Sequence, residues 1–284
     1  MFTVVIPARD RATLIGPAIE AALAQTAPPD RVIVVDDGST DDTAGVAERA
    51  GATVHRLPQS GGSGPARTIG IREASSEWIA FLDSDDIWDP DHLQGLAALT
   101  DGHVLVSAPS RSTSGVIRGI TARQPVAVTA RLAYADLNPL VTSGTAVRRD
   151  TLLAIGGFRA LARAQDFDCW LRVLEQGEGV VTGRPTLHYH QHDGQVSLHG
   201  DLNRACVLQI LAEYADRPWA GPQLHRASLA RFYWDDLRVG QRTGEGSRIR
   251  AAVRAIAARP DLIPAMASLA VRRAAERMSR RARG

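Results

Sequence analysis

Three carboxylates fall within four consecutive positions in Asp83-Ser84-Asp85-Asp86, here called the carboxylate turn. The run follows the apolar stretch Ile79–Leu82, so it is expected at the end of a buried strand. Crowded carboxylates repel one another unless a cation holds them, and their hard oxygens suit Mg²⁺ or Mn²⁺. Such an ion keeps positions open for the oxygens of a diphosphate. The alternative is a turn whose aspartates only cap the next helix, because aspartate favours turns.

A second acidic run begins at Asp36-Asp37 and also follows an apolar stretch. Thr40 or Asp41 is predicted to cap the following helix, which leaves Asp36 and Asp37 available for a ligand. The run does not favour a calcium loop, because it lacks carboxylates at alternate positions followed by a bidentate glutamate.

Short β-branched runs alternate with helical patterns over the first hundred residues. The predicted strands are 2–6, 31–35, 53–56 and 78–82, and the predicted helices are about 13–25, 41–50, 63–75 and 90–100. Strands that are apolar throughout, such as Val32–Val35, indicate a largely parallel sheet flanked by helices. Ligands bind such sheets at the carboxyl ends of the strands. Both acidic runs and the segment Pro7–Asp10 lie at such ends.

Further along the chain the pattern is mixed and then helical. Strands are predicted near 103–107, 115–121 and 186–192, with a helix near 164–176. We therefore predict an α/β domain over residues 1–200, with a donor-binding half at 1–101 and an acceptor half at 102–200. A C-terminal helical extension is predicted over residues 201–284.

The composition is that of an ordinary globular protein, with 44% apolar and 23% charged residues. A net charge of +2 gives no sign of a nucleic-acid partner. Two cysteines are too few for a disulfide framework, and no stretch approaches the roughly 20 apolar residues that span a bilayer. The chain opens directly into a strand without a signal peptide, so a cytoplasmic location is expected.

Residues 248–284 are strongly basic, with ten arginines against Asp261 and Glu276. This amphipathic segment predicts a peripheral contact with an anionic membrane surface, at the inner face of the cell membrane. An arginine-coated helix packed on the domain is the alternative.

Six stretches of the sequence resemble the motifs of the inverting glycosyltransferase family 2, whose nucleotide-sugar domain has the GT-A fold. They occur in the family's order and cover roughly residues 2–197. The stretches are Val4–Pro7, Val34–Thr43, Gly61–Arg67, Phe81–Asp86, Gly156–Phe158 and Gln165–Arg172. The resemblance implies a GT-A-like α/β fold and transfer of a sugar from a nucleotide-diphosphate sugar to an acceptor hydroxyl. The acceptor would be a glycan, a glycolipid or a small molecule, and cell-envelope polysaccharide is one expected product.

The resemblance implies a nucleotide site on the first strands. Pro7 and Ala8 would line the nucleotide pocket, and Asp37 would contact the base of the donor. Arg67 would lie beside the base or the phosphates. Taken without its context, Arg67 fits better as an exposed helix residue.

The resemblance also divides the carboxylate turn between sugar and metal. Asp83 and Ser84 would contact the ribose or the donor sugar, while Asp85 and Asp86 would bind Mn²⁺ or Mg²⁺. The family's closing motif matches His192, which would approach the metal or the donor phosphates.

Two other histidines alternate with His192 near the end of the predicted domain. In a strand, His188, His190 and His192 would lie on one face, an arrangement that suggests a zinc site. The resemblance gives a ligand role only to His192, because only that position of the family's closing motif approaches the donor phosphates or the metal. His190 replaces the family's arginine, so no phosphate contact is assigned to it. His188 is expected to be a packed strand histidine.

Asp166 matches the position of the family's catalytic base. An inverting displacement needs one carboxylate that deprotonates the acceptor hydroxyl opposite the leaving group. The alternative is a simple helix N-cap. The family's usual glutamate before this aspartate is Gln165 here, which removes one negative charge. Asp168 would point about 200° away on a helix and is expected to be structural.

Two rival functions share part of this pattern. A nucleotidyltransferase also uses carboxylates and Mg²⁺, but it typically has a lysine that contacts the triphosphate, and this chain contains no lysine. A non-catalytic nucleotide-sugar-binding module is the other rival. The presence of both Asp85 and Asp166 argues against such a module.

Overall fold

The computed structural model describes residues 1–190, 201–243, 246–257, 259–264 and 267. The chain forms two compact units. The first comprises residues 1–133 and 138–206, and the second comprises residues 134–137 and 207–284. All six motif stretches belong to the first unit.

The strands of the first unit form two sheets, of eight and four strands. In chain order the strands are β1 Phe2–Ala8, β2 Arg31–Asp36, β3 Thr53–Arg56, β4 Trp78–Phe81, β5 Ile87–Trp88, β6 Leu105–Ser107, β7 Ser110–Ser112, β8 Ile117–Arg118, β9 Val126–Val128, β10 Thr145–Arg148, β11 Gly179–Val181 and β12 Leu187–Tyr189. The larger sheet has the order β3-β2-β1-β4-β10-β6-β11-β9, and the smaller has the order β5-β12-β7-β8.

Ten helices accompany these strands in the described part of the chain. They are α1 Ile15–Leu23, α2 Thr43–Arg49, α3 Ser63–Glu73, α4 His92–Ala97, α5 Ala130–Ala135, α6 Arg149–Ala154, α7 Gln165–Leu174, α8 Asp201–Glu213, α9 Gly221–Thr243 and α10 Gly246–Ala257. Short 3-10 turns lie at Thr142–Gly144 and Pro260–Leu262.

The hydrophobic pattern explains the parallel part of the large sheet. Every residue of β1 is buried, as expected for a strand covered on both faces. Helix α1 buries Ile15, Ala18, Ile19 and Ala22, the spacing of one helical face. The first four predicted strands and helices are confirmed, with ends that differ by no more than about three residues.

The strand order brings the predicted ligand-binding ends together. Strands β3, β2, β1 and β4 are parallel, with Ala8 paired to Asp36 and Val5 paired to Phe81. The residues that follow β1, β2 and β4 therefore emerge at one edge of the sheet. Strand β10 then runs antiparallel between β4 and β6, which makes the sheet mixed.

The second unit is helical in its described part. Helix α10 packs against α9, and the hydroxyl of Tyr134 donates a hydrogen bond to the carbonyl of Leu211 at 2.6 Å. His225 Nδ1 lies 2.7 Å from the same hydroxyl. Burial raises the pKa of Tyr134, and burial is also the main reason why the pKa of His225 is lowered. Among the described residues, no helix combines the length and the apolar character needed to cross a bilayer.

Candidate active site

The carboxylate turn begins where β4 ends, at the edge shared with β1 and β2. The turn is closed by a hydrogen bond from the Asp86 amide to the Asp83 carbonyl at 3.2 Å. The Asp83 amide donates to the hydroxyl of Ser143 at 3.1 Å, which ties the turn to the segment before β10. Ser84 is buried and Asp85 is half-buried.

Asp86 is almost fully buried, with 1% of its surface exposed. Its Oδ1 accepts a hydrogen bond from the amide of His190 at 3.1 Å. Its Oδ2 has no hydrogen-bond partner within the part of the chain that the structure describes. Burial raises the pKa of Asp86 to about 8, and the neighbouring charges of Asp83 and Asp85 act in the same direction.

An orphaned carboxylate oxygen pressed by two further carboxylates suits a divalent cation, because a cation would offset both the burial and the repulsion. Across the described ranges, however, no group of three or more His, Cys, Asp or Glu side chains is arranged to hold a metal ion. His192 lies outside the described residues. The carboxylates of the turn could therefore supply some of the ligands of a metal ion, and other ligands would complete its coordination.

Arg67 is buried on α3 and forms an ion pair with Asp83. Its Nη2 lies 2.5 Å from Asp83 Oδ1, and its guanidinium lies over the ring of Phe158, 5.5 Å from the centroid. Its Nε has no hydrogen-bond partner among the described residues. The alternative of an exposed helix residue is therefore wrong, because only 6% of the side chain is accessible.

Asp37 holds the loop that leads into α3. Its carboxylate accepts hydrogen bonds from the Ser60 hydroxyl at 2.7 Å and from the amides of Gly61 and Gly62 at 2.7 and 2.9 Å. Gly38 adopts φ +71°, and a Cβ there would lie 3.0 Å from the Ser60 nitrogen. The close approach of these two loops thus depends on a glycine.

The remaining nucleotide-site residues lie in or beside β1. Pro7 and Ala8 are buried, and the Ala8 carbonyl accepts a hydrogen bond from the Asp37 amide at 2.8 Å. Asp36, in contrast, is fully buried: its Oδ1 accepts from the Ser39 amide at 2.9 Å, and its Oδ2 lies 3.4 Å from Arg56 Nε. Asp36 thus fixes its own turn through Oδ1, while its Oδ2 makes no hydrogen bond within the described residues, and its availability for a ligand stays a prediction.

Asp166 stands in the first turn of α7 and is half-buried. Its Oδ2 accepts hydrogen bonds from Asn138 Nδ2 at 2.9 Å and from the Thr142 hydroxyl at 3.2 Å. Within the described residues, Oδ1 makes no hydrogen bond. One oxygen is thus fixed by the protein while the other is left for a further partner. The alternative of a simple helix N-cap is wrong, because Ala164 holds the N-cap position and no side-chain cap hydrogen bond is made.

Asp168 is a structural residue in a buried ion-pair network. It is 0% exposed, and Arg159 and Arg172 each approach it to 2.8 Å. Arg172 also donates to the carbonyls of Ile155 and Gly157 at 2.8 Å each. The network therefore fixes the Gly-Gly-Phe motif against α7.

The histidines near β12 differ from the expected arrangement. His188 is not a packed strand histidine, because it is 48% exposed and its Nε2 lies 2.8 Å from Asp89 Oδ1. His190 reaches the site through its backbone amide, which binds Asp86. His192 lies outside the described residues.

Three residues at the site carry no strong sequence signal. Asn138, Thr142 and Ser143 are uncharged, and only the fold brings them to the aspartates. Asn138 adopts a left-handed conformation with φ +65°, which asparagine tolerates better than most residues. The asparagine type at this position is thus a local sequence feature that agrees with the left-handed turn.

The chain is similar to several known proteins. It is 44% identical over 100 residues to the succinoglycan biosynthesis protein ExoW of Rhizobium meliloti. The aligned region covers 32% of this chain and 31% of ExoW. It is 29% identical over 263 residues to the poly(ribitol-phosphate) beta-N-acetylglucosaminyltransferase TarS of Staphylococcus aureus, covering 80% of this chain and 46% of that one. The chain thus spans less than half of these curated relatives.

Solved structures show the same fold. Residues 1–349 of S. aureus TarS, solved in complex with UDP-GlcNAc, superpose with a TM-score of 0.67 at 21% identity, covering 81% of this chain and 71% of that one. The mannosyltransferase PcManGT of Pyrobaculum calidifontis, in complex with GDP-Man and Mn²⁺, gives 0.62 at 23% identity, covering 96% and 79%. These likenesses confirm the predicted GT-A-like α/β fold.

The family model described as Glycosyl transferase family 2 matches residues 3–156. That match spans more than half of the 284 residues and includes the acidic runs after β2 and β4. The chain belongs to glycosyl transferase family 2.

Proposed function

We propose that this protein transfers a sugar from a nucleotide-diphosphate sugar to an acceptor hydroxyl, with inversion at the anomeric carbon. The observation that carries the proposal is the buried Asp86 Oδ2, which has no hydrogen-bond partner among the described residues and lies in a turn of three carboxylates. This turn lies at the edge where α/β sheets bind ligands. Family membership and the nucleotide sugars bound by TarS and PcManGT support it.

The donor is assigned to the edge formed by β1, β2 and β4. Pro7, Ala8 and Asp37 would border the nucleotide, with Asp37 also holding the loop before α3. Arg67, a buried cation beside the carboxylate turn, would stabilise the charge of the donor. Asp83 and Ser84 would contact the ribose or the sugar. Residues 1–101 thus form the proposed donor half and residues 102–200 the acceptor half.

The metal, Mn²⁺ or Mg²⁺, is assigned to Asp85 and Asp86. His192, two positions after the His190 amide that binds Asp86, is the proposed third protein ligand. When bound, the ion supplies positive charge that stabilises the departing diphosphate. The open coordination positions would be taken by oxygens of the donor, in keeping with a partial set of protein ligands.

Asp166 is the proposed general base. The acceptor hydroxyl gives its proton to Asp166 Oδ1, while the acceptor oxygen forms the new bond to the anomeric carbon of the donor sugar. The bond from that carbon to the diphosphate breaks, and the nucleoside diphosphate leaves. A single displacement of this kind needs no covalent intermediate and inverts the configuration. Cell-envelope polysaccharide is the proposed product class, because ExoW is named for succinoglycan biosynthesis.

A thermal-shift screen tests the proposed function. UDP, GDP and dTDP, the corresponding triphosphates, and then UDP-GlcNAc and GDP-mannose, are added with Mn²⁺ or with EDTA. A ligand at about 100 times its Kd stabilises the native state by about 2.7 kcal/mol, so a shift of several degrees is expected for one diphosphate and only with Mn²⁺. Preference for a nucleoside triphosphate would favour a nucleotidyltransferase instead, and equal shifts in EDTA would contradict metal dependence.

We also propose that the basic segment 248–284 contacts an anionic membrane surface. Each basic residue near such a surface contributes about 1 kcal/mol. The variant R250Q/R254Q/R272Q/R273Q is therefore expected to reduce flotation with anionic liposomes at low salt by at least about tenfold. Neutral phosphatidylcholine liposomes are the control. Equal flotation of the variant and the parent would leave these arginines with no membrane role.

A further inference from the structure

The 3-10 turn Thr142–Gly144 touches both chemical parts of the site. Thr142 and Ser143 are buried, with 9% and 1% exposure. The Thr142 hydroxyl donates to Asp166 Oδ2 at 3.2 Å. The Ser143 hydroxyl accepts a hydrogen bond from the Asp83 amide at 3.1 Å. Adjacent side chains on one turn therefore contact the proposed base and the carboxylate turn.

This turn is held firmly in place. The Gly144 carbonyl accepts a hydrogen bond from the Ala108 amide at 2.8 Å, and a Cβ on Gly144 would lie 2.3 Å from the Ala108 carbonyl oxygen. The Ser143 carbonyl accepts from Trp88 Nε1 at 2.6 Å. The Thr145 hydroxyl donates to the Val141 carbonyl at 2.8 Å. The turn is thus anchored to β5, to the residue after β6 and to its own ends.

We propose that this turn is the spacer that sets the position of the base relative to the carboxylate turn. Thr142 and Asn138 orient Asp166 so that its Oδ1 faces the acceptor, and Ser143 holds the backbone of the carboxylate turn that binds the donor. The inference rests on the proposed function, since it assigns Asp166 to the acceptor and Asp83–Asp86 to the donor. Thr142 and Ser143 are positioning residues, because they act through those aspartates.

Substitutions of Thr142 and of Ser143 are expected to have different effects, the first on turnover and the second on the affinity for the nucleoside diphosphate. T142V removes one hydrogen bond to a charged group, so turnover is expected to fall about tenfold, while the Kd for UDP or GDP with Mn²⁺ stays within about twofold. T142S should restore turnover, and T142A replaces T142V if valine prevents folding. S143A should instead raise that Kd about tenfold. T100V is the matched control: it removes a buried hydroxyl that bonds the Ala97 carbonyl outside this turn, so it should change neither value more than about twofold.

The experiment combines calorimetric titration with turnover, measured as nucleoside diphosphate released from the donor that the screen identifies. In a D166N background, T142V should add less than about a twofold loss, because its partner is already disabled. Normal turnover in D166N would refute the proposed base itself. Impaired D166N with unaffected T142V would overturn only the positioning role, as would a T142V whose Kd rises as much as its turnover falls. An S143A with parental Kd would likewise overturn the spacer.

Discussion

With asparagine in place of Asp85, glycosyl transfer is expected to fall below detection, and Mn²⁺-dependent binding of a nucleoside diphosphate is expected to weaken by at least about 100-fold. The reason is loss of a hard, charged oxygen ligand from a partial ligand set. Asp86→Asn should cause the same loss. Calorimetric titration with UDP or GDP, with Mn²⁺ and with EDTA, measures the effect.

The two asparagine variants also carry a prediction without metal. Without metal, burial and the charges of Asp83 and Asp85 disfavour the charged form of Asp86, so D86N should be as stable as the parent protein or more stable in EDTA. D101N removes an exposed carboxylate elsewhere and should change neither binding nor stability. Full activity of D85N, or full activity of the parent protein in EDTA, would remove the metal from the proposed function.

Asp166→Asn is expected to lower turnover by about 10² to 10⁴-fold, the usual contribution of a general base. Asparagine can still accept the hydrogen bonds of Asn138 and Thr142, but it cannot take the proton of the acceptor. Donor affinity should therefore stay within a few-fold of the parent value, because Asp166 acts on the acceptor. Transfer kinetics and calorimetric titration with the nucleoside diphosphate measure the two effects separately.

Asp168→Asn is the matched control on the same helix. It leaves Arg172 and Arg159 without their buried carboxylate, so it should cost about 3–5 kcal/mol of stability. The turnover of the folded fraction should fall less than in D166N. A dead D168N beside an active D166N would show that the base is misassigned, and two fully active variants would contradict general-base catalysis by this helix.

The sequence predicts the donor edge of the sheet well because that edge depends on local patterns. Continuous apolar runs identify β1, β2 and β4 as buried parallel strands, and parallel strands deliver their following residues to one edge. The acidic clusters at 36–37 and 83–86 then fall together without any knowledge of tertiary contacts. Adjacent aspartates are harder to separate: Asp36 and Asp37 differ in role because Asp36 still lies in β2 and points into its turn.

The acceptor side depends on contacts that are distant in sequence. Strand β10 enters antiparallel between β4 and β6, and this insertion brings Thr142 and Ser143 against the aspartates. Short strands of three or four residues and uncharged hydroxyl groups give little periodic or electrostatic signal. His188 shows the converse limit, since alternation predicts a shared face but does not say whether that face is buried.

Inversion by a single displacement is the central claim, and the anomeric configuration of the product tests it most directly. NMR of the anomeric proton and carbon, recorded as product forms from an α-linked donor, distinguishes an α-linked from a β-linked product. A β-linked product is expected, because one carboxylate activates the acceptor on the face opposite the diphosphate. An α-linked product would contradict inversion, since retention needs a second displacement that the assigned role of Asp166 does not provide.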